Sequence, residues 1–195
     1  DGGFSVSFSS DIPMRVGLAG SSAIIIALLR ALLDRYRIEI PPAEAATLAL
    51  KVETEELGIP AGLQDRVAQT YQGIMYMDFN RERMTDYGYG LYERLTPAVL
   101  PPFYIAYCKR FGEGTEVTHS DLRRRYNDGD RLVRSLLKKL ADNTDRFRVA
   151  LEDGDMPRMN ELIDMNFDIR TELVPVAPLF RNLVNIDRNC GASAK

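Results

Sequence analysis

At 195 residues the chain is long enough for one sizeable domain or two small ones. Apolar residues at 45% and charged residues at 27% fit a globular chain and exclude a wholly disordered one. A formal net charge of −3 leaves no broad basic surface, so nucleic acid is not an expected partner, and a single histidine, His119, argues against a zinc site of the usual Cys/His kind.

Two widely separated cysteines, Cys108 and Cys190, read as free thiols in a reducing compartment. Residues 1–10 have neither a positive start nor a long apolar centre. The longest apolar run, Ala23–Leu29, is too short to cross a bilayer and ends at Arg30. The expectation is a cytoplasmic protein without a membrane partner; the oligomeric state is left open.

In chain order, "GGFSVSFSSDIP" alternates Phe4, Val6 and Phe8 with serines, which predicts a half-buried strand. It has no preceding partner, as if the chain began part-way through a fold. A glycine loop at 15–20 leads into a helix from about Ser21 to Tyr36, with Ser21 and Ser22 placed to cap it. That helix is apolar on nearly all sides, so it should be buried. "PPAEAATLALKVETEELG" predicts a second helix, with prolines at its entry and Gly58 at its exit. "IPAGLQDRVAQTYQ" reads as a turn and a short helix, and "GIMYMDF" as a strand, followed by a polar excursion to about Leu95.

"FYIAYC" reads as another apolar strand, and His119 as part of a polar loop before a helix. From Ser120 to Leu151 the spacing is helical, with Leu132, Leu136, Leu140 and Phe147 on one face. Its basic cluster, "DLRRRYNDGDRLVR", is interrupted by Asp121, Asp128 and Asp130 and reads as a solvated face. "MPRMNELIDMNFDIRTEL" predicts a helix with Met159, Leu162, Ile163 and Phe167 inward; "PVAPLFRNLVNIDRNCGASAK" follows without an assigned element. Separate runs of strands and helices point to α+β.

Chemistry concentrates in two places. The first is "PMRVGLAGSS", residues 13–22. A helix N-terminus offers unpaired amides and partial positive charge, which suits an anion. Gly17 and Gly20 let a ligand approach the backbone, and a serine hydroxyl can bind phosphate or magnesium. No lysine follows, so this is not a Walker A loop, and the glycine spacing is not that of a dinucleotide fold. The plain alternative is a tight strand-to-helix turn. The second place is "VETEELGIPAGLQDRVAQ", residues 52–69. Glu53 and Asp65 lie on either side of a turn and can converge on one cleft. Phosphoryl transfer uses such a pair, one acid for magnesium and one for the attacking hydroxyl. The plain alternative makes Glu53, Glu55 and Glu56 a solvated face and Asp65 a cap. Arg66 could hold Asp65 ionised, contact an anionic substrate, or form a surface ion pair.

"PMRVGLAGSSA" at 13–23 resembles the second signature of the GHMP small-molecule kinases. Galactokinases of that superfamily place a magnesium-binding glutamate twelve residues before the catalytic aspartate, and Glu53, Gly58, Pro60, Gly62 and Asp65 reproduce the segment. "GLQDRVAQTYQGIMYMDF", "LPPFYIAY", "RRRYNDGD" and "MNFDIR" are similar to the plant-type glucuronokinase branch, so the resemblance covers roughly residues 4–195. It implies an α+β GHMP kinase-like fold: a ribosomal protein S5 domain 2-like part over 1–95 and a ferredoxin-like part over 96–195. It also implies ATP-dependent phosphorylation of the anomeric hydroxyl of D-glucuronate.

By the same resemblance Gly17, Leu18, Ala19, Gly20, Ser21, Ser22 and Ala23 would wrap the ATP phosphates. Ser22, or Ser21, and Glu53 would hold Mg2+, and Asp65 would act on the sugar hydroxyl. Charge alone makes Arg66 and Arg170 candidates for the sugar carboxylate. The family's first signature has no match in residues 1–12, and its third, glycine-rich signature is expected just past "GASAK". The expectation is therefore an internal piece of a longer kinase, truncated at both ends and inactive alone. Ala19 stands where many relatives carry glycine, which a negative φ would make harmless. A kinase for a neutral sugar (galactose or arabinose) and a non-catalytic binding relative are the alternatives.

Overall fold

The computed structural model describes residues 3–14, 16–59, 61–98, 100–107 and 116–195, with side chains from 121 onward in the last stretch. It is an α+β chain, mostly helical, whose described strands form one small sheet. The chain divides into two compact units, one built mainly from residues up to Leu95 and one from Thr96–Ala106 and the helices that follow.

The first unit contains α1 (Gly20–Tyr36), α2 (Pro42–Lys51), a π-helical turn (Val52–Glu56), α3 (Leu63–Tyr71), β1 (Ile74–Asp78), α4 (Arg81–Tyr87) and β2 (Leu91–Leu95). Pro42 opens α2, where its missing N–H costs nothing. Ala43, Ala45, Ala46 and Ala49 form the buried side of α2, small enough for close helix approach. On α3, Leu63 and Val67 recur at helical spacing and meet Ala46. Met77 and Tyr92, opposite each other in the antiparallel β1–β2 pair, close that core from the sheet. Between the strands, the Asn80 side chain accepts the N–H groups of Glu82 and Arg83 to start α4, and Gly88 ends it at positive φ.

The second unit contains α5 (Glu116–Asn127), α6 (Arg131–Asp153), α7 (Met156–Leu173) and α8 (Pro178–Asn189). Asp130 caps α6 by accepting the N–H groups of Leu132 and Val133. Gly154 and Asp155 turn the chain directly into α7, making an αα-hairpin. Its core joins Val133 and Leu136 to Ile169 and Leu173. The buried Asn143 donates to the Leu162 carbonyl at 3.0 Å. Arg188 of α8 bonds to Asp168 Oδ1 and the Asp164 carbonyl of α7 at 2.9 and 2.8 Å.

Several expectations need correction. Residues 3–11 carry no strand, and Phe4, Val6 and Phe8 are exposed, Phe8 at 69%. The same holds for 103–107, where Tyr104 is 91% exposed. A strand exists only where a second backbone accepts its ladder, and neither segment pairs with a described strand. Helix α1 is only partly buried, with Leu28 and Tyr36 exposed, because burial depends on neighbours and not on composition. The polar excursion holds α4 and β2, and the C-terminal stretch holds α8. The long helix from Ser120 is interrupted at 128–130, and Val133 replaces the exposed Leu132 in its core. His119 falls within α5, not a loop, and its side chain lies outside the described residues, as does Cys108. Cys190 is a free, exposed thiol.

Candidate active site

The loop before α1 ends on Ala19, which adopts the left-handed conformation at φ 54°, ψ 33°. The negative φ that would make alanine harmless there is not what the loop adopts. A β-carbon in that region crowds the following carbonyl, at a cost of about 1–2 kcal/mol. Gly17, at φ 78°, meets the same demand without penalty. Arg15 lies outside the described residues.

Because Ala19 is the residue before the helix, Ser21 and Ser22 stand inside its first turn. No side chain caps α1, which corrects the expected serine cap. Capping requires a side chain at the junction residue, and alanine has none to offer. The first turn also has no acid, so its amides face no competing carboxylate from within the helix. Ser21 is exposed. Ser22 is 1% exposed, and its hydroxyl has no hydrogen-bond partner. An unpaired buried hydroxyl costs about 1–3 kcal/mol, so its presence needs a reason.

Glu53 continues the buried stripe of α2, four residues beyond Ala49, and is 1% exposed. Glu55 and Glu56 remain exposed, which separates Glu53 from any solvated acidic face. The helix widens here into a π turn, with the Leu57 N–H donating to the Val52 carbonyl at 3.1 Å. Such turns recur at functional sites. The Ile59 N–H donates to the Glu53 carbonyl at 2.8 Å, so both ends of this residue are held.

Arg66 holds the other end. It is 5% exposed and shares the inward stripe of α3 with Leu63 and Val67. Its Nε donates to Glu53 Oε2 at 2.6 Å, and its Nη2 meets the same oxygen. Its Nη1 donates to the Gly62 carbonyl at 2.9 Å and stands 4.0 Å from Asp65 Oδ2. Arg66 thus serves Glu53 first and Asp65 only distantly. Asp65 makes no cap bond; it lies in the first turn of α3 with a side chain 54% exposed. Arg170 is exposed on α7, in the other unit, and Pro60 lies outside the described residues.

Helix α1 packs on both α2 and α3. Arg30 of α1 donates to the Gln69 and Thr70 carbonyls at 2.8 Å each, fastening α1 to the C-terminal end of α3. The sequence reading used Arg30 only to end an apolar run and missed this role. One unit therefore carries the free amides of α1, an orphaned hydroxyl, a buried carboxylate and an exposed carboxylate. Hydroxyl and carboxylate oxygens are the hard donors that Mg2+ prefers, so this set fits that ion.

Residues 2–73 match the model of the GHMP kinases N terminal domain. The chain is 38% identical to glucuronokinase 1 of Arabidopsis thaliana, over 98% of the chain and 54% of the relative. It is 39% identical to probable glucuronokinase 2 of the same plant, over 100% of the chain and 54% of the relative. A mevalonate kinase of Pyrococcus abyssi is 26% identical, over 97% of the chain and 54% of the relative. The chain thus spans about half the length of these curated relatives. No solved structure matches the chain significantly. Among the described residues, no helix is long and apolar enough to cross a membrane.

Proposed function

We propose that the chain is part of an ATP-dependent sugar 1-kinase that phosphorylates the anomeric hydroxyl of D-glucuronate. The observation that carries this reading is the similarity to glucuronokinases along nearly the whole chain, joined to a site with two acids in different surroundings. The amides of Gly20, Ser21 and Ser22 bind the ATP phosphates, helped by the dipole of α1. Ser22 and Glu53 are the residues that would hold Mg2+. When bound, the ion offsets charge on the phosphate oxygens. Asp65, with its exposed side chain, accepts the proton of the sugar hydroxyl as that oxygen bonds to the γ-phosphorus and the bond from that phosphorus to the β–γ bridging oxygen breaks, releasing ADP. Arg66 already serves Glu53; Arg170 is a candidate for the sugar carboxylate on its charge alone.

The finer fold assignment goes with this function: a ribosomal protein S5 domain 2-like part to residue 95 and a ferredoxin-like part beyond. The reaction belongs in the cytoplasm, where ATP is available and thiols stay reduced. The test uses the full-length protein. It should consume ATP with glucuronate and not with galactose or arabinose, and Asp65→Asn should lose turnover while keeping ATP binding. Full turnover by Asp65→Asn would remove Asp65 as the base, and ATP binding without turnover on any sugar in the wild type would favour a non-catalytic module.

A further inference from the structure

The buried Glu53–Arg66 pair has a consequence for how the metal arrives. Glu53 is 1% exposed, and two nitrogens of Arg66 converge on its Oε2. The negative charge of this acid is therefore already matched inside the protein. Arg66 is held in turn by the Gly62 carbonyl at the start of α3. It cannot swing away without leaving that carbonyl and entering solvent from a buried position. A divalent cation approaching the free protein meets a neutral pair rather than an open carboxylate. Among the described residues, no group of three or more acids, histidines or cysteines stands ready to outweigh that neutrality.

We propose that Arg66 is a counter-ion that keeps Glu53 from binding a divalent cation until nucleotide phosphates arrive. The cation then enters as the metal–nucleotide complex, whose phosphate oxygens supply the negative charge that Glu53 lacks. Arg66 touches neither phosphate nor sugar in this scheme. It is a positioning residue: it orients Glu53 by one oxygen and fixes the first turn of α3, from which Asp65 projects. The inference rests on the proposed kinase reading and extends it to the order in which ligands bind.

Mn2+ is a suitable probe, because free and bound ion differ in electron paramagnetic resonance. In the full-length wild type, Mn2+ alone should stay free at micromolar protein, and a non-hydrolysable ATP analogue should convert it to a bound signal. Arg66→Gln keeps a hydrogen-bonding side chain but removes the charge. It should bind Mn2+ without nucleotide at least about tenfold more tightly than wild type, as expected when a cation is removed beside the ligand oxygen. Arg66→Lys keeps the charge and guards against a general folding defect. It should remain silent towards Mn2+ alone. Glu53→Gln should abolish whatever Arg66→Gln gains.

Tight, stoichiometric Mn2+ binding to nucleotide-free wild type, lost in Glu53→Gln, would overturn the proposal and leave the kinase reading intact. Equal Mn2+ affinity of folded Arg66→Gln and wild type would also overturn it. Failure of the wild type to bind the nucleotide analogue at all would instead strike the kinase reading.

Discussion

Replacing Ser22 by alanine should push stability and nucleotide affinity in opposite directions. The Ser22 hydroxyl is buried at 1% exposure without a hydrogen-bond partner, so the folded state carries its desolvation cost uncompensated. That cost is about 1–3 kcal/mol. Alanine also favours the helix interior by about 0.5 kcal/mol over serine. Losing one oxygen's packing contacts offsets part of the gain. The net expectation for Ser22→Ala in the ligand-free protein is a stabilisation of about 1–2 kcal/mol, or about 0.5–1 M in the urea midpoint. On the proposed function, MgATP would give the wild type a ligand contact that the variant lacks. A tenfold weaker nucleotide complex would cut the ligand-induced stabilisation by about 1.4 kcal/mol. Urea unfolding with and without MgATP measures both quantities on one sample. A destabilised Ser22→Ala with unchanged MgATP response would refute the reasoning, since the hydroxyl would then serve the fold.

Glu53→Ala should cost about 3–5 kcal/mol, because it leaves the Arg66 guanidinium buried and unpaired. Combining it with Arg66→Met should recover most of that loss in the same unfolding assay; purely additive losses would contradict a coupled pair. Ala19→Gly should stabilise by about 1 kcal/mol through relief of the left-handed alanine, and a loss of thermal stability would contradict the φ observed at that position. Asp130 is held ionised first by the Val133 N–H and then by Arg125, so its carboxyl titrates below the usual carboxylate range. Its stabilising contribution is present above that range and is lost as pH falls through the lowered folded value. A carboxyl-carbon NMR titration of Asp130 should follow this course, and a midpoint in the ordinary range would contradict it.

Local signals were legible where they depend on one segment. Pro42 at the entry of α2, Gly58 behind it and the helical spacing of Leu63 and Val67 all lie in the string of residues. The inward direction of Glu53, which follows Ala45 and Ala49 at four-residue steps, lay in the same string and went unread. The π turn that carries it was not legible, since widening a helix by one residue leaves no mark in composition. The apolar spacing of Leu179, Leu183 and Ile186 behind Pro178 did announce α8 and went unread. Phe4–Phe8 and Phe103–Tyr107 failed for another reason: alternation predicts a face, but only a partner makes a strand.

The site turns on the angular step between neighbouring helix residues. Asp65 and Arg66 are adjacent, so about 100° of rotation separates their side chains on α3. Leu63 and Val67 fix which face is inward, and Arg66 falls on that face with them. Asp65 must then point away from it, towards solvent, as its exposure records. One helix turn thereby gives a buried cation for Glu53 and an exposed carboxylate, the base of the proposed reaction. The buried glutamate has the arginine as its charge partner, and the aspartate faces solvent. Interchanging the two neighbours, Asp65→Arg with Arg66→Asp, conserves composition and net charge but should bury two carboxylates together. Such a swap ought to abolish folding of the first unit as well as activity, whereas retention of a cooperative unfolding transition would deny that this one rotation organises the site.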